Sequence, residues 1–206
     1  MILADIGNTR VHIYEKGKVI HLSYQEAIDR YQNQDVYYIS VKSELKEKLE
    51  ELNRWVNISD RIILKGSYAT MGVDRKALCL SKEDGIFISA GSAITVDIME
   101  AGEYQGGFLL LGISQYIKSY SLISPQLTTT LNRKINVNKL PKSTQDGISY
   151  GIIGSIQTVI ERHQQEKRVY ISGGDGEFLS SFLNNAIFDE SLIFQGMIKA
   201  YNIKFV

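Results

Sequence analysis

Ile2-Leu3-Ala4-Asp5-Ile6-Gly7-Asn8-Thr9 is the stretch from which this chain is read. An apolar strand runs into a carboxylate, then a turn glycine and two short hydrogen-bonding side chains. Gly7 tolerates backbone angles that cost a residue bearing Cβ, and it lets a ligand come close to the main chain. A carboxylate such as Asp5 at a strand's end suits a hydrated Mg²⁺, which prefers carboxylate and water oxygens. Together these features fit the terminal phosphates of a nucleotide. The competing reading is a β-hairpin whose turn favours Gly and Asn for conformational reasons alone.

A second copy weighs against that simpler reading. Ile86-Phe-Ile-Ser-Ala-Gly91-Ser92-Ala-Ile-Thr95-Val-Asp97 repeats the order of apolar strand, polar residue, spacer, glycine, small hydroxyl and second strand. The copies continue alike to turns at Lys16-Gly17 and Ala101-Gly102, and each has a third run, Lys18–Ile20 in one and Tyr104–Leu111 in the other. The chain therefore reads as two similar halves, each opening with a three-stranded meander, with two glycine turns able to grip a triphosphate. Ser81-Lys-Glu-Asp-Gly85 interrupts apolar sequence, so the expected division is 1–83 and 84–206.

Composition narrows the function classes. A chain of 206 residues can bury a sizeable core, and 44% hydrophobic with 22% charged residues is ordinary for a globular protein. With 23 basic and 23 acidic residues the formal charge is zero, so no broad field draws nucleic acid or anionic membrane, and any anion site is local. The one cysteine, Cys79, excludes an internal disulfide. No signal segment opens the chain and no run is long enough for a membrane span, so the expected location is the cytoplasm.

Taken in order, Ser23-Tyr-Gln-Glu26 has capping-box spacing and predicts a helix to about Gln32. Val36–Val41 reads as a buried strand. Ser43 is placed to cap a second helix with Leu45, Leu49 and Leu52 on one face. Arg61–Lys65 reads as a further short strand. Strands alternating with helices argue for a mixed α/β layer. In the glycine-marked loop Lys65–Arg75, Asp74 beside Arg75 is either a helix-start ion pair or a carboxylate able to take a proton from an attacking hydroxyl. Ser92 and Thr95 are phosphate-facing hydroxyls or plain turn residues, and Asp97 is catalytic, orienting, or only a strand end. Gly112 to about Leu131 predicts a long helix that Pro125 bends or ends. Ser143 or Thr144 caps another, running through Ile160. Val169-Tyr-Ile-Ser-Gly173-Gly174-Asp-Gly176 is a strand ending in glycines before a helix, and a closing helix spans Gly196–Tyr201. His12, His21 and His163 read as isolated, and no His/Cys cluster has metal-ligand spacing.

Asp5-Ile-Gly-Asn-Thr9, Gly72-Val-Asp-Arg75, Gly91-Ser-Ala-Ile-Thr-Val-Asp97 and Gly106-Gly107 occur in the order and near the spacing of one family, and the chain resembles the type III pantothenate kinases along nearly its whole length. That resemblance implies an α/β fold of two ribonuclease H-like (actin-like ATPase) halves and ATP-dependent phosphorylation of pantothenate, the first step of coenzyme A biosynthesis. It implies Asp74 as general base. It implies ATP and phosphate contacts at Asp5, Ile6, Gly7, Asn8, Thr9, Arg10, Val11, His12, Gly91, Ser92, Gly173 and Gly174. Pantothenate contacts would be Tyr68, Gly72, Val73, Asp74, Arg75 and Thr144, although the family's pocket tyrosine usually lies a few residues before position 68. Mg²⁺ would accompany ATP at Asp5, and K⁺ or NH₄⁺ would bind near Ser89, weakly because the family's aspartate is absent there. Leu111 likewise stands where proline is usual. A homodimer with the substrate site near its interface is expected, with no nucleic-acid or membrane partner. The alternatives are a non-catalytic nucleotide-binding regulator on this fold, or a related kinase with another alcohol substrate.

Overall fold

The computed structural model describes residues 1–202. Its strands form two five-stranded sheets. The first contains β1 (Ile2–Ile6), β2 (Val11–Glu15), β3 (Lys18–Leu22), β4 (Val36–Ser40) and β5 (Trp55–Asn57), in the order β3-β2-β1-β4-β5. The second contains β6 (Gly85–Ala90), β7 (Ala93–Glu100), β8 (Glu103–Leu111), β9 (Val169–Ser172) and β10 (Ala186–Phe188), in the order β10-β9-β6-β7-β8. Read outward from its first strand, each sheet has the same topology: a meander on one side and two strands added on the other. The duplication expected from the glycine turns is therefore a duplication of fold.

By its contacts the chain divides into two compact units. One comprises Met1–Asp84, Asp97–Gly106 and the residues from Asp189 on; the other comprises Gly85–Val96 and Gly107–Phe188.

In the first unit β1 runs antiparallel to β2 and parallel to β4, in register Asp5↔His12 and Asp5↔Ile39. All five β1 residues are buried, so both faces of this central strand are covered. Alternation sends Ile2, Ala4 and Ile6 to a core shared with Val11, Ile13, Ala27, Tyr31, Tyr38 and Trp55. Leu3 and Asp5 point to the opposite face. Helix α1 (Tyr24–Tyr31) carries the anticipated capping box: the Ser23 side chain accepts from the Glu26 amide while Glu26 returns to the Ser23 backbone. Helices α3 (Val73–Leu80) and α7 (Leu192–Asn202) pack together, and an added Cβ at Gly196 would run into the Ala77 carbonyl. Glycine is required there because the helix backbones nearly touch.

Two local expectations change. Ser43 caps nothing: it lies in a 3₁₀ turn, Ser43–Leu45, leading into the short helix α2 (Lys46–Glu50), where Leu49 is buried as its position on the face demanded. Arg61–Lys65 is not a strand. Ile62 and Leu64 are buried on either side of the exposed Ile63, which imitates a strand's period, but the segment follows a 3₁₀ turn at Ser59–Arg61 and joins no ladder among the described residues.

In the second unit, helix α4 spans Ile113–Ile123 and stops short of the expected Leu131. Pro125 forces Ser124 into an extended conformation (φ −158°, ψ 140°), and a 3₁₀ turn follows at Pro125–Leu127. Helix α5 (Thr144–Gln164) is capped by the Ser143 side chain, and α6 (Gly176–Ser180) follows β9. None of the helices among the described residues is long and apolar enough to cross a membrane.

Candidate active site

The glycine turn after β1 places Asn8, Thr9 and Arg10 at an exposed tip. Gly7 closes it, its N–H donating to the Arg10 carbonyl at 3.1 Å. The backbone does not itself demand glycine: φ at Gly7 is not positive, and an added Cβ would meet only the Arg10 oxygen, at 3.5 Å. What remains is the second reason for glycine, room for something outside the chain. Gly91 in the β6–β7 turn behaves the same way, with its nearest neighbour at 3.8 Å and Ser92 exposed beside it. Ile6 and Val11 bury their side chains in the core, leaving only main chain to offer a ligand.

Asp5 is 5% exposed, and its Oδ1 has no hydrogen-bond partner. Burial first, and the Asp74 carboxylate second, push its pKa up to about 8. Asp74 lies in the first turn of α3 and is itself raised, mainly by burial, against the lowering effect of the Arg75 and Asp74 amides. An added Cβ at Gly72 would sit 2.5 Å from Asp74 Oδ1, so this glycine clears the space the carboxylate occupies. Two buried carboxylates that act on each other, one with an orphaned oxygen, leave acceptor capacity that the protein does not fill. A hard divalent cation with oxygen ligands fits it, although no cluster of three or more His, Cys, Asp or Glu is present among the described residues. Asp5 is the residue that would hold Mg²⁺.

Arg75 is buried and held by protein partners. Its Nε and Nη2 donate to the two oxygens of Asp97, at 3.0 and 2.5 Å, and Nη1 donates to the Tyr68 hydroxyl at 2.6 Å. Tyr104 Oη lies 3.5 Å from Nη2. Burial pushes the Asp97 carboxyl up while the guanidinium pulls it down, and burial with the neighbouring Asp97 raises the Tyr104 hydroxyl to about 12. The two-pronged fork is the geometry of an ionised pair, so of the three readings of Asp97 the structure supports orientation: it fixes Arg75. Tyr68 is 44% exposed and meets Arg75 from the solvent side.

His12 and His21 are not isolated. They are cross-strand partners on β2 and β3, with Nδ1 atoms 2.6 Å apart, and His21 Nε2 lies 3.2 Å from Glu190. A period-2 count places them opposite each other only once the β2–β3 register is known. Burial, His21 and Arg10 together lower His12 to about 4, so it is neutral at pH 7. His163 is exposed as expected, beside the Phe108 ring.

In the second unit Gly173 has φ +93° and packs on the end of β6, where an added Cβ would lie 2.5 Å from the Ala90 oxygen; the Asp175 N–H donates to that same oxygen at 3.1 Å. Gly174 faces open space. One glycine is therefore structural and its neighbour is free to border a ligand. Arg133 donates to Asp175 at 2.7 Å and covers the Phe178 ring. Thr95 Oγ1 is buried without a partner, Ser89 is half-buried opposite Ser172, and Thr144 is exposed.

Sequence reasoning missed Tyr24, Lys42 and Tyr104. Tyr24 donates from its hydroxyl to the Gly7 carbonyl at 2.6 Å, and Lys42 Nζ donates to the Asn8 carbonyl at 3.2 Å. No motif marks them, because each lies 17 to 34 residues in sequence from the group it meets.

Two sheets of identical order, each opening on a glycine-turned meander and flanked by helices, define the actin-like ATPase fold. At the level of fold alone, a structure described as a candidate 2-dehydro-3-deoxygalactonokinase from Sinorhizobium meliloti superposes with TM-score 0.53 at 10% identity, covering 99% of both chains. A model of the type III pantothenate kinase family matches residues 55–166. A relative named type III pantothenate kinase, from Campylobacter jejuni (strain RM1221), is 38% identical over 97% of this chain and 95% of its own. The chain belongs to the type III pantothenate kinase family. A Campylobacter jejuni structure described as a conserved candidate Baf family transcriptional activator matches with TM-score 0.90 at 36% identity, covering 99% of this chain and 98% of that one.

Proposed function

We propose that this protein transfers the terminal phosphoryl group of ATP to the primary alcohol of pantothenate, yielding 4′-phosphopantothenate and ADP, the first step of coenzyme A biosynthesis. The observation that carries this reading is the pair of buried carboxylates, Asp5 with its unpartnered oxygen and Asp74 in a space cleared by Gly72. Asp74 takes the proton as the alcohol oxygen attacks phosphorus; the new O–P bond forms while the bridging P–O bond to ADP breaks. Asp5 would hold the magnesium that accompanies ATP, which would supply charge to offset that of the phosphates. Asn8 and Thr9, with the turn residues Gly7 and Arg10 and with His12 on β2, meet phosphate from the first unit, and Ile6 and Val11 contribute main chain only. Gly91 and Ser92 are assigned to phosphate as well, and Gly173 and Gly174 to adenosine. Pantothenate is assigned to Tyr68, Gly72, Val73, Arg75 and Thr144. Arg75 reaches the carboxylate of pantothenate with what its bonds to Asp97 and Tyr68 leave free.

Several finer statements belong to the same proposal: a division at 83/84 as the unit of fold duplication, a cytoplasmic location, a homodimer, and a monovalent cation near Ser89. The exposed Leu109, Leu111, Leu122 and Ile123 support the dimer. A single hydroxyl without charge at position 89 supports a weak cation requirement.

Coupled ADP release with pantothenate, pantetheine and a few sugars as acceptors tests the reaction. Asp74→Asn is expected to lower kcat by about 10²–10⁴-fold, the usual range for a general base, with unchanged thermal unfolding. Wild-type-like turnover by that variant removes the base assignment. The second reading, a nucleotide-binding regulator, is favoured by the description of the Campylobacter jejuni structure. It predicts no release with any acceptor, and it gives no reason for Gly72 to clear space for a carboxylate.

A further inference from the structure

Three successive carbonyls leading into the glycine turn accept hydrogen bonds from the protein. Ile6 O accepts from the Val41 N–H at 3.2 Å, Gly7 O from the Tyr24 hydroxyl at 2.6 Å, and Asn8 O from Lys42 Nζ at 3.2 Å. No peptide among the described residues is cis. In a trans peptide the C=O and the following N–H point in opposite directions. Fixing Gly7 O and Asn8 O toward the protein therefore turns the N–H groups of Asn8 and Thr9 outward, at the exposed tip. Successive outward amides form an anion-binding concavity. The two donors are also tied to each other: the Lys42 ammonium lies 4.6 Å from the centre of the Tyr24 ring. Lys42 is anchored with 23% of its side chain exposed, and the carboxylate of Glu44, 82% exposed, lies 3.9 Å away.

We propose that Tyr24 and Lys42 are positioning residues for phosphoryl transfer, which clamp the Gly7 and Asn8 carbonyls and so aim the Asn8 and Thr9 amides at the nucleotide phosphates. The cation does more than hold the turn in place. An ammonium on the Asn8 carbonyl polarises that peptide, which strengthens its N–H, on Thr9, as a donor to an anion. A neutral strut of the same length keeps the fold and loses the polarisation. The inference rests on reading this turn as a phosphate site.

The test uses the intact protein with Lys42→Met, Lys42→Arg and Tyr24→Phe. Isothermal titration with Mg·ADP and with a non-hydrolysable Mg·ATP analogue measures binding apart from turnover. Loss of one charge-assisted bond is expected to weaken nucleotide affinity about tenfold in Lys42→Met. KM for ATP rises in parallel, while KM for pantothenate stays within about twofold. Lys42→Arg restores most of the loss because it keeps the charge. Tyr24→Phe weakens nucleotide binding in the same selective way. Equal nucleotide affinity in wild type and Lys42→Met, or a parallel loss of ATP and pantothenate binding with a lowered unfolding temperature, overturns the proposal and makes Lys42 a structural strut. Failure of the wild-type protein itself to bind Mg·ADP would overturn the phosphate reading, and the positioning role with it.

Discussion

Asp5 makes the most demanding prediction, because its burial couples the site to stability. Its pKa is raised from 3.8 to about 8 in the folded protein, by burial and then by Asp74. An unfolded chain ionises it near pH 4. Between those values the native state binds a proton that the unfolded state has lost, so native stability falls as pH rises through this window and levels off above about 8. The slope from this one group is about 1.4 kcal/mol per pH unit, which accumulates to about 4 kcal/mol by pH 7. Asp5→Asn is neutral in both states and removes that slope while keeping the side chain's shape. Urea unfolding of both proteins, free of metal and nucleotide, at pH 5, 6 and 7 gives the comparison. The variant is expected to gain on wild type by about 1.4 kcal/mol with each pH unit. Adding Mg·ADP should reverse the order, because a bound cation stabilises the ionised carboxylate and only wild type has one. A difference between the proteins that stays flat from pH 5 to 7 would refute the reasoning, whatever the variant's activity.

Two other substitutions test the surroundings. Gly72→Ala places a methyl 2.5 Å from where Asp74 Oδ1 now lies, so the carboxylate must swing away; kcat is expected to drop about tenfold or more while stability changes by less than about 1 kcal/mol, and unchanged steady-state kinetics would show that Asp74 does not act from this position. Asp97→Ala strands the Arg75 guanidinium, whose side chain is 7% exposed, and is expected to cost about 3–5 kcal/mol in urea unfolding; a cost below about 1 kcal/mol would mean water reaches the guanidinium and the pair is not what orients it.

Features set by neighbours in sequence were legible. The capping box at Ser23 and Glu26 formed as expected, because its partners lie within a few residues, and Pro125 ended its helix, one of the two outcomes expected of it, well before Leu131. The repeated meander was legible for the same reason, since turns of two to four residues bring consecutive strands together. Arg61–Lys65 misled because alternate burial can come from loop packing as well as from a strand. Ser43 misled because a hydroxyl at the right spacing caps only if the backbone enters the helix there.

The chain's order of residues was enough to determine the duplicated α/β architecture, the two glycine turns and the carboxylates Asp5 and Asp74, since periodicity and turn chemistry act locally. Tertiary structure alone decided what those groups experience. Arg75 finds Asp97 22 residues away, Gly7 is held by Tyr24 across 17, and Asn8 by Lys42 across 34. Such partners meet only when parallel and antiparallel strands settle into one register, and burial, which sets the pKa of Asp5, is a property of everything packed around it.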